Sequence, residues 1–310
     1  MDNKLKKYLF NIYELTKRNM LIFFKNKTTI FFSLIAPVLI LLIYILFMGD
    51  FQVDIIMDNI GSIDVTKKEI SSIVNAWVIS GIIGISTLTV ALNSMFITIS
   101  DREKGIVNDF HASPVNQVNL TLSYFISAVI ITFFISLVFS IMGTIFLMIS
   151  TGGLFSFNVL DIFKLLGLLL LSSLSAVIIL MFITSFFKKT STAASFTGIF
   201  TALIGFLVGT YLPAGFLPIG IQNFANIIPG THSTALFRQL YLSKVISKPN
   251  IIDKVGIDFI NQIKDEYGYN LKLFNFEITT GLMVLYLFIS IVIFFLLQII
   301  VSKFRNKHKI

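Results

Sequence analysis

The sequence predicts an all-α polytopic membrane protein, and three observations carry that prediction. Of 310 residues, 55% are apolar and only 13% charged, against about 25% charged in a soluble domain. The mean hydropathy is +0.88, which means more apolar surface than a water-soluble chain of this length can bury. Six stretches approach or exceed the ~20 apolar residues that a bilayer-crossing helix needs. They lie at roughly 29–48, 76–99, 119–149, 162–187, 192–212 and 278–301. The absence of cysteine excludes disulfide staples, thiolate metal sites and cysteine nucleophiles. His111, His232 and His308 lie far apart and form no helix-spaced ligand pair.

Residues 1–28 read as an interfacial helix and 29–310 as a six-helix transmembrane domain. In the first segment Lys4, Lys7, Asn11, Glu14, Lys17 and Arg18 recur at three- and four-residue steps, with Leu5, Leu9, Ile12, Tyr13 and Met20 opposite. Such a helix lies in the membrane interface, lysines toward anionic headgroups. The pattern fits a simple anchor as well as a lever that touches a cytoplasmic partner. The third span is long enough to tilt. The fifth begins with Ser191-Thr192-Ala193-Ala194-Ser195, small residues that suit close helix contact. Gly198, Gly205 and Gly209 read as packing positions in or beside it.

Six spans put both termini on one side. That side holds 15 Lys/Arg and 5 Asp/Glu, net +10; the other holds 9 and 11, net −2. Positive charge stays inside, so both termini are expected in the cytoplasm of a multi-pass cell-membrane protein. The outer loop 213–277 divides in two. Residues 213–230 are apolar but short and broken by proline, which predicts a re-entrant or interfacial element. Residues 244–277 are polar and of mixed charge, a small solvated ectodomain. The first outer loop, 49–75, carries Asp50, Asp54, Asp58, Asp64 and Glu69; their spacing matches no calcium loop and predicts solvated charge.

The loop 100–118 is the most informative inner piece. Alternating charges, Asp101-Arg102-Glu103-Lys104, are followed by Gly105 and then by Ile106, Val107 and Phe110 at helical spacing. Ser113-Pro114 ends that short helix, because proline disfavours helix in the residue before it. The result is a rigid, partly apolar element held at the membrane face.

The run DREKGIVNDFHASPV resembles the coupling loop of the type-2 membrane domain of ATP-binding-cassette exporters, the daunorubicin-resistance-like permeases. The matching positions are Asp101, Arg102, Glu103, Gly105, Ser113 and Pro114. The run from Gly209 to Leu242 resembles the end of that family's fifth span and its outer re-entrant helices, with Pro213, Pro218, Pro229 and Arg238 in place. The run from Leu15, with Pro37, resembles the connecting helix and first span, which brings in Lys17, Arg18 and Lys25. The polar segment 244–277 is longer than the family pattern.

The resemblance implies a permease that pairs with a second copy of itself or a related one, over two ATP-binding-cassette ATPase subunits, with membrane lipids around it and no nucleic acid. Asp101, Arg102, Glu103, Lys104, Gly105, Phe110, Ser113 and Pro114 would couple it to the ATPase. Glu103 is expected to pair with Lys17 or Arg18. The chain has no G-x-x-x-x-G-K-S/T loop, hence no phosphate cradle. It is expected to be no enzyme and to bind no cofactor, with ATP and magnesium on the partner. No ionisable residue lies deep in the predicted spans; only Lys164 and Glu277 lie near ends. This argues against an ion-coupled carrier. The walls are apolar, with Asn93, Thr201 and Phe206 as candidate path residues. The expected cargo is an amphipathic drug, antimicrobial peptide or lipid-like molecule. The alternatives are a lipid-linked polysaccharide exporter and a non-transporting sensor or structural protein. Residue usage rich in Ile, Lys, Asn and Phe hints at a bacterial source.

Overall fold

The computed structural model describes residues 2–60, 65–113, 115–152, 155–248, 254–274 and 276–308. They form an all-α membrane protein with one small hairpin. Helix α1 (Asp2–Lys25) is followed by α2 (Lys27–Ile43), a π-turn (Tyr44–Met48) and α3 (Gly49–Ile60). Then come α4 (Lys67–Ser94), α5 (Phe96–Glu103), α6 (Ile106–Ala112), α7 (Gln117–Ser150), α8 (Val159–Thr184) and α9 (Thr190–Leu207). A 3-10 turn (Ala214–Phe216), α10 (Ile219–Ala225), α11 (Pro229–Ile246) and α12 (Ile257–Glu266) lead to strands β1 (Leu271–Leu273) and β2 (Phe276–Ile278) and to α13 (Thr280–His308).

Among the described residues, six helical stretches are long and apolar enough to cross a membrane: Lys27–Asp58, Lys67–Glu103, Gln117–Ser150, Val159–Thr184, Thr190–Leu207 and Thr280–Ser302. Each overlaps one of the predicted spans. The largest departure is at 49–75, read from sequence as a loop. There helix runs on to Ile60 and restarts at Lys67. The cause of the restart is local: Thr66 and Glu69 form a capping box, the Glu69 N–H donating to Thr66 Oγ1 at 3.3 Å and the Thr66 N–H to Glu69 Oε2 at 2.9 Å, satisfying two helix-start donors. Asp50, Asp54 and Asp58 are exposed, as expected of solvated charge, and Glu69 alone among the described acidic residues here is buried. Lys67 pairs with Asp54 at 3.0 Å, and Lys254 with Glu69 at 3.2 Å. Asp64 lies outside the described residues.

Helix α4 is the axis of the fold. The apolar part of its span is 94% buried, and α2, α7, α8 and α11 pack around it. Small residues allow this, since apolar solvent gives membrane helices no hydrophobic drive and close packing must supply it. A Cβ on Gly84 would stand 2.2 Å from Thr234 Oγ1, and one on Gly143 would stand 2.4 Å from Ile79. Hydroxyls stitch the same contacts: Ser86 to Ser136 at 3.3 Å, and Tyr241 to Ser140 and Thr144 at 3.0 Å each.

Helix α11 lies largely in the run Gly209–Leu242 expected to hold outer re-entrant helices, and it extends beyond the proline-broken stretch 213–230. It is too polar to resemble a span, yet it is buried among α4, α8 and α13. Beyond it, α12 and the antiparallel hairpin (Lys272 opposite Glu277) build the small polar unit predicted at 244–277. Trp77 of α4 meets Tyr267 edge-on at 5.3 Å, tying that unit to the axis.

Candidate functional site

Asp101, Arg102 and Glu103 close the last turn of α5, where α4 emerges from the bundle. Successive helical residues point about 100° apart, so the three side chains reach three different neighbours. Asp101 is buried and faces α1 and α7. It accepts from Arg18 Nη1 at 2.7 Å, from Arg18 Nη2 at 3.0 Å and from the Tyr124 hydroxyl at 2.6 Å. This is a bidentate charge-assisted pair, the strongest common form. The Asp101 carboxylate holds the Arg18 guanidinium above its ordinary pKa.

Arg102 turns to the end of α8, where Nη1 donates to the Thr184 carbonyl at 3.2 Å and the Ser185 carbonyl at 3.3 Å. A cation at a helix C-terminus offsets the unpaired carbonyls there. Glu103 turns to the start of α9. It accepts from the Thr190 N–H at 2.9 Å and from the Thr190 hydroxyl at 2.6 Å. An anion at a helix N-terminus is favourable for the converse reason. One tripeptide thus ties together α1, α7, α8 and α9.

Gly105 follows at φ +75°, a left-handed conformation that suits glycine. It turns the chain from α5 into α6. Phe110 of α6 is half-buried, and the Arg18 guanidinium lies 5.3 Å from the centre of its ring, within cation–π range. Ser113 closes α6, its hydroxyl donating to the Phe110 carbonyl at 2.7 Å. Lys104 is exposed. Pro114 lies outside the described residues. Two expectations are corrected here. Arg18 pairs with Asp101, not Glu103, because only one of residues 101 and 103 can face α1. Arg18 also leaves the exposed stripe of α1 and turns inward beside Asn19, whereas Lys17 and Lys25 stay exposed. The helix docks through Leu15, Asn19 and Phe23, leaving Leu5, Leu9, Phe10 and Tyr13 uncovered.

At the far end, each predicted proline starts a helical turn: Pro213 before the 3-10 turn, Pro218 before α10, and Pro229 as the first residue of α11. Proline suits these positions because it lacks the N–H that a helix start leaves unpaired. Arg238 of α11 is wholly buried, and its Nη2 donates to the Val208 carbonyl at 2.8 Å and the Gly209 carbonyl at 2.5 Å. It closes the end of α9. Gly209 turns the chain there at φ +67°, and a Cβ on Gly205 would enter the Tyr211 ring. Among the described residues nothing lies within 4 Å of a Cβ built on Gly198, so it is not a packing position among them.

The three candidate path residues do not converge. Asn93 is buried and donates to the Thr89 carbonyl at 2.9 Å. The Thr201 carbonyl accepts from the Tyr211 hydroxyl at 3.3 Å, and Phe206 meets the Tyr211 ring edge-on at 4.9 Å. Sequence reasoning missed the partners Tyr124, Thr184, Ser185 and Thr190. Their residue types are ordinary in spans, and only the fold brings them to Asp101–Glu103.

Among known families, the one described as ABC-2 type transporter matches residues 11–242. Comparison with curated proteins and with solved structures gives no match.

Proposed function

The chain belongs to the ABC-2 type transporter family, and from that premise we propose that it is the permease subunit of an ATP-driven exporter that moves amphipathic or lipid-like molecules out of the cell. In this reading α6 is the coupling helix. Its face of the membrane is cytoplasmic, as the +10/−2 charge split requires. A separate ATPase presses on α6, and the Asp101–Arg102–Glu103 cluster passes the movement on.

That cluster is the observation that carries the reading. A rigid connection from one short surface helix to an interfacial helix and three spans is what a force-transmitting element needs, and an ordinary turn between helices needs none of it. Phe110, lodged against Arg18, links the push on α6 to α1. Away from their ends the described spans hold hydroxyls and one another's backbone; the pairs Arg18–Asp101, Lys254–Glu69 and Lys244–Asp161 all stand at span ends, which fits energy supplied from outside the membrane domain.

The absence of cysteine gives a clean test. Asp109→Cys places a thiol on the exposed side of α6. With a short bifunctional reagent it should cross-link to a co-expressed ATPase, and cross-linking should change with nucleotide. Labelling of that thiol from outside intact cells would overturn the reading.

A further inference from the structure

Helices α8 and α9 run antiparallel from the short connection at 185–189, and a cleft of about 260 Å³ lies between them. Its α8 wall includes Ala176, Ile179 and Ile183, and its α9 wall runs from Phe196 to Leu207. That run rises about 17 Å at ~1.5 Å per residue, close to half of the roughly 30 Å hydrocarbon core of a bilayer. Phe224 of α10 and Ile228 roof one end. The lining is almost wholly apolar side chains.

The other end is different. Phe187 meets the lining ring of Phe196 edge-on at 5.2 Å, and Lys188 and Lys189 follow it at once, both exposed. The cleft is therefore roofed by apolar side chains at one end, and two exposed lysines stand beyond the aromatic pair at its foot. We propose that it binds one acyl chain of an anionic phospholipid drawn from the leaflet on the α6 side, with the headgroup phosphate on Lys188 and Lys189.

Charge and length together select this occupant. A zwitterionic lipid offers the same phosphate, but its ammonium group offsets that charge beside the two lysines, and each cation near an anionic surface is worth several-fold in affinity. A second copy of the chain has another part of α9 open to it. Ala194, Gly198 and Ala202 form an exposed small-residue stripe there. At about 100° per residue the stripe lies roughly 140° around the helix from Leu203 and the cleft. The proposal depends on neither the cargo nor the direction of transport.

The test uses the full chain, purified with its ATPase and examined by native mass spectrometry after equilibration with phosphatidylglycerol or phosphatidylcholine. Wild type should retain about one phosphatidylglycerol per chain, with a preference of about tenfold or more over phosphatidylcholine from two lysines. Ile199→Trp fills the cleft from an exposed position and should abolish retention of both lipids. Leu203→Trp is a second filling variant, so failure of one to fold leaves the test standing. Lys188→Gln with Lys189→Gln should keep retention and lose the preference. Equal retention of the two lipids by wild type would overturn the proposal. So would undiminished retention in a folded filling variant, or disulfide formation between Ile199→Cys copies, which would mean a second chain fills the cleft.

Discussion

Asp101 and Glu103 are both carboxylates on one turn, yet their substitutions should differ in kind. Asp101 is buried against Arg18, whose side chain is 29% exposed. Breaking such a pair leaves a partly desolvated guanidinium. The cost should fall between the ~1 kcal/mol of an exposed bridge and the 3–5 kcal/mol of a buried one, at about 2 kcal/mol. Asp101→Ala should lower thermal stability in detergent accordingly. Arg18→Met combined with Asp101→Leu should recover much of the loss, since both charges go together. Glu103 is exposed and holds only the start of α9. Glu103→Ala should loosen the start of α9, as loss of a helix cap does, and Glu103→Gln less, because the amide oxygen still accepts from Thr190. Insertion should be normal in both. Hydrogen exchange at 190–194 and the coupling of ATP hydrolysis to transport are the readouts, and unchanged coupling in Glu103→Ala would remove that residue from force transmission. The three charges were visible in the sequence as an unusual cluster for so short a loop. Their partners were not, because a tyrosine, two carbonyls and a threonine carry no signal until the fold gathers them.

At the scale of elements, apolar run length made the six spans readable, since a bilayer enforces it. The capping chemistry at Thr66 and Glu69 shows why the first outer loop was misread: acidic residues suggested solvated coil, but a capping box with a lysine partner makes helix. Helix α11 could be expected only through the family resemblance, because polar and apolar residues mix along it and neighbouring helices bury nearly all of both. Gly105 was legible, and its φ of +75° gives the physical reason. No side chain crowds a Cβ there closer than 3.9 Å, so Gly105→Val should cost the roughly 1–2 kcal/mol of left-handed backbone and re-aim Phe110. Loss of the Asp109→Cys cross-link in that variant would report it. The small far-side unit has its own pH dependence. Burial raises the Asp265 carboxyl, but hydrogen bonds from Lys272 and Asn270 outweigh it and hold it below its ordinary value. A depressed acid stabilises above its unfolded pKa of about 3.9, and that stabilisation is lost as pH falls through the folded value. Hydrogen-exchange protection of the hairpin should therefore stay level from neutral pH to about 5 and fall below about 4. Asp265→Asn should have weaker protection at neutral pH and show no such fall.

For the whole molecule, the orientation and the partner form one linked prediction. Residues 49–60 are helix and span two restarts at Lys67, yet the charge split does not depend on that loop. Lys4, Lys6, Lys7, Lys17, Arg18, Lys25 and Lys27 all lie in α1 or at its junction with α2. Residues 188–189 and 303–307 stand on the same side after an even number of crossings. Most of the asymmetry thus comes from segments whose side follows from the span count alone. If that side is cytoplasmic, α6 with Phe110, the α1 surface and Lys188–Lys189 all face the compartment that holds ATP. The chain should then co-purify with an ATPase as two permeases and two ATPases. Thiols placed at residues 109 and 257 should label from opposite sides of the membrane, the second from outside intact cells, Ile257 being exposed on α12. Deleting 257–272 should leave ATPase association intact in a protein that still inserts, because that unit is at the opposite end of the spans from α6. If the deletion abolishes association while the thiol at 109 labels from outside, the chain is inverted. The Asp101–Glu103 cluster would then be a structural knot rather than the seat of a motor.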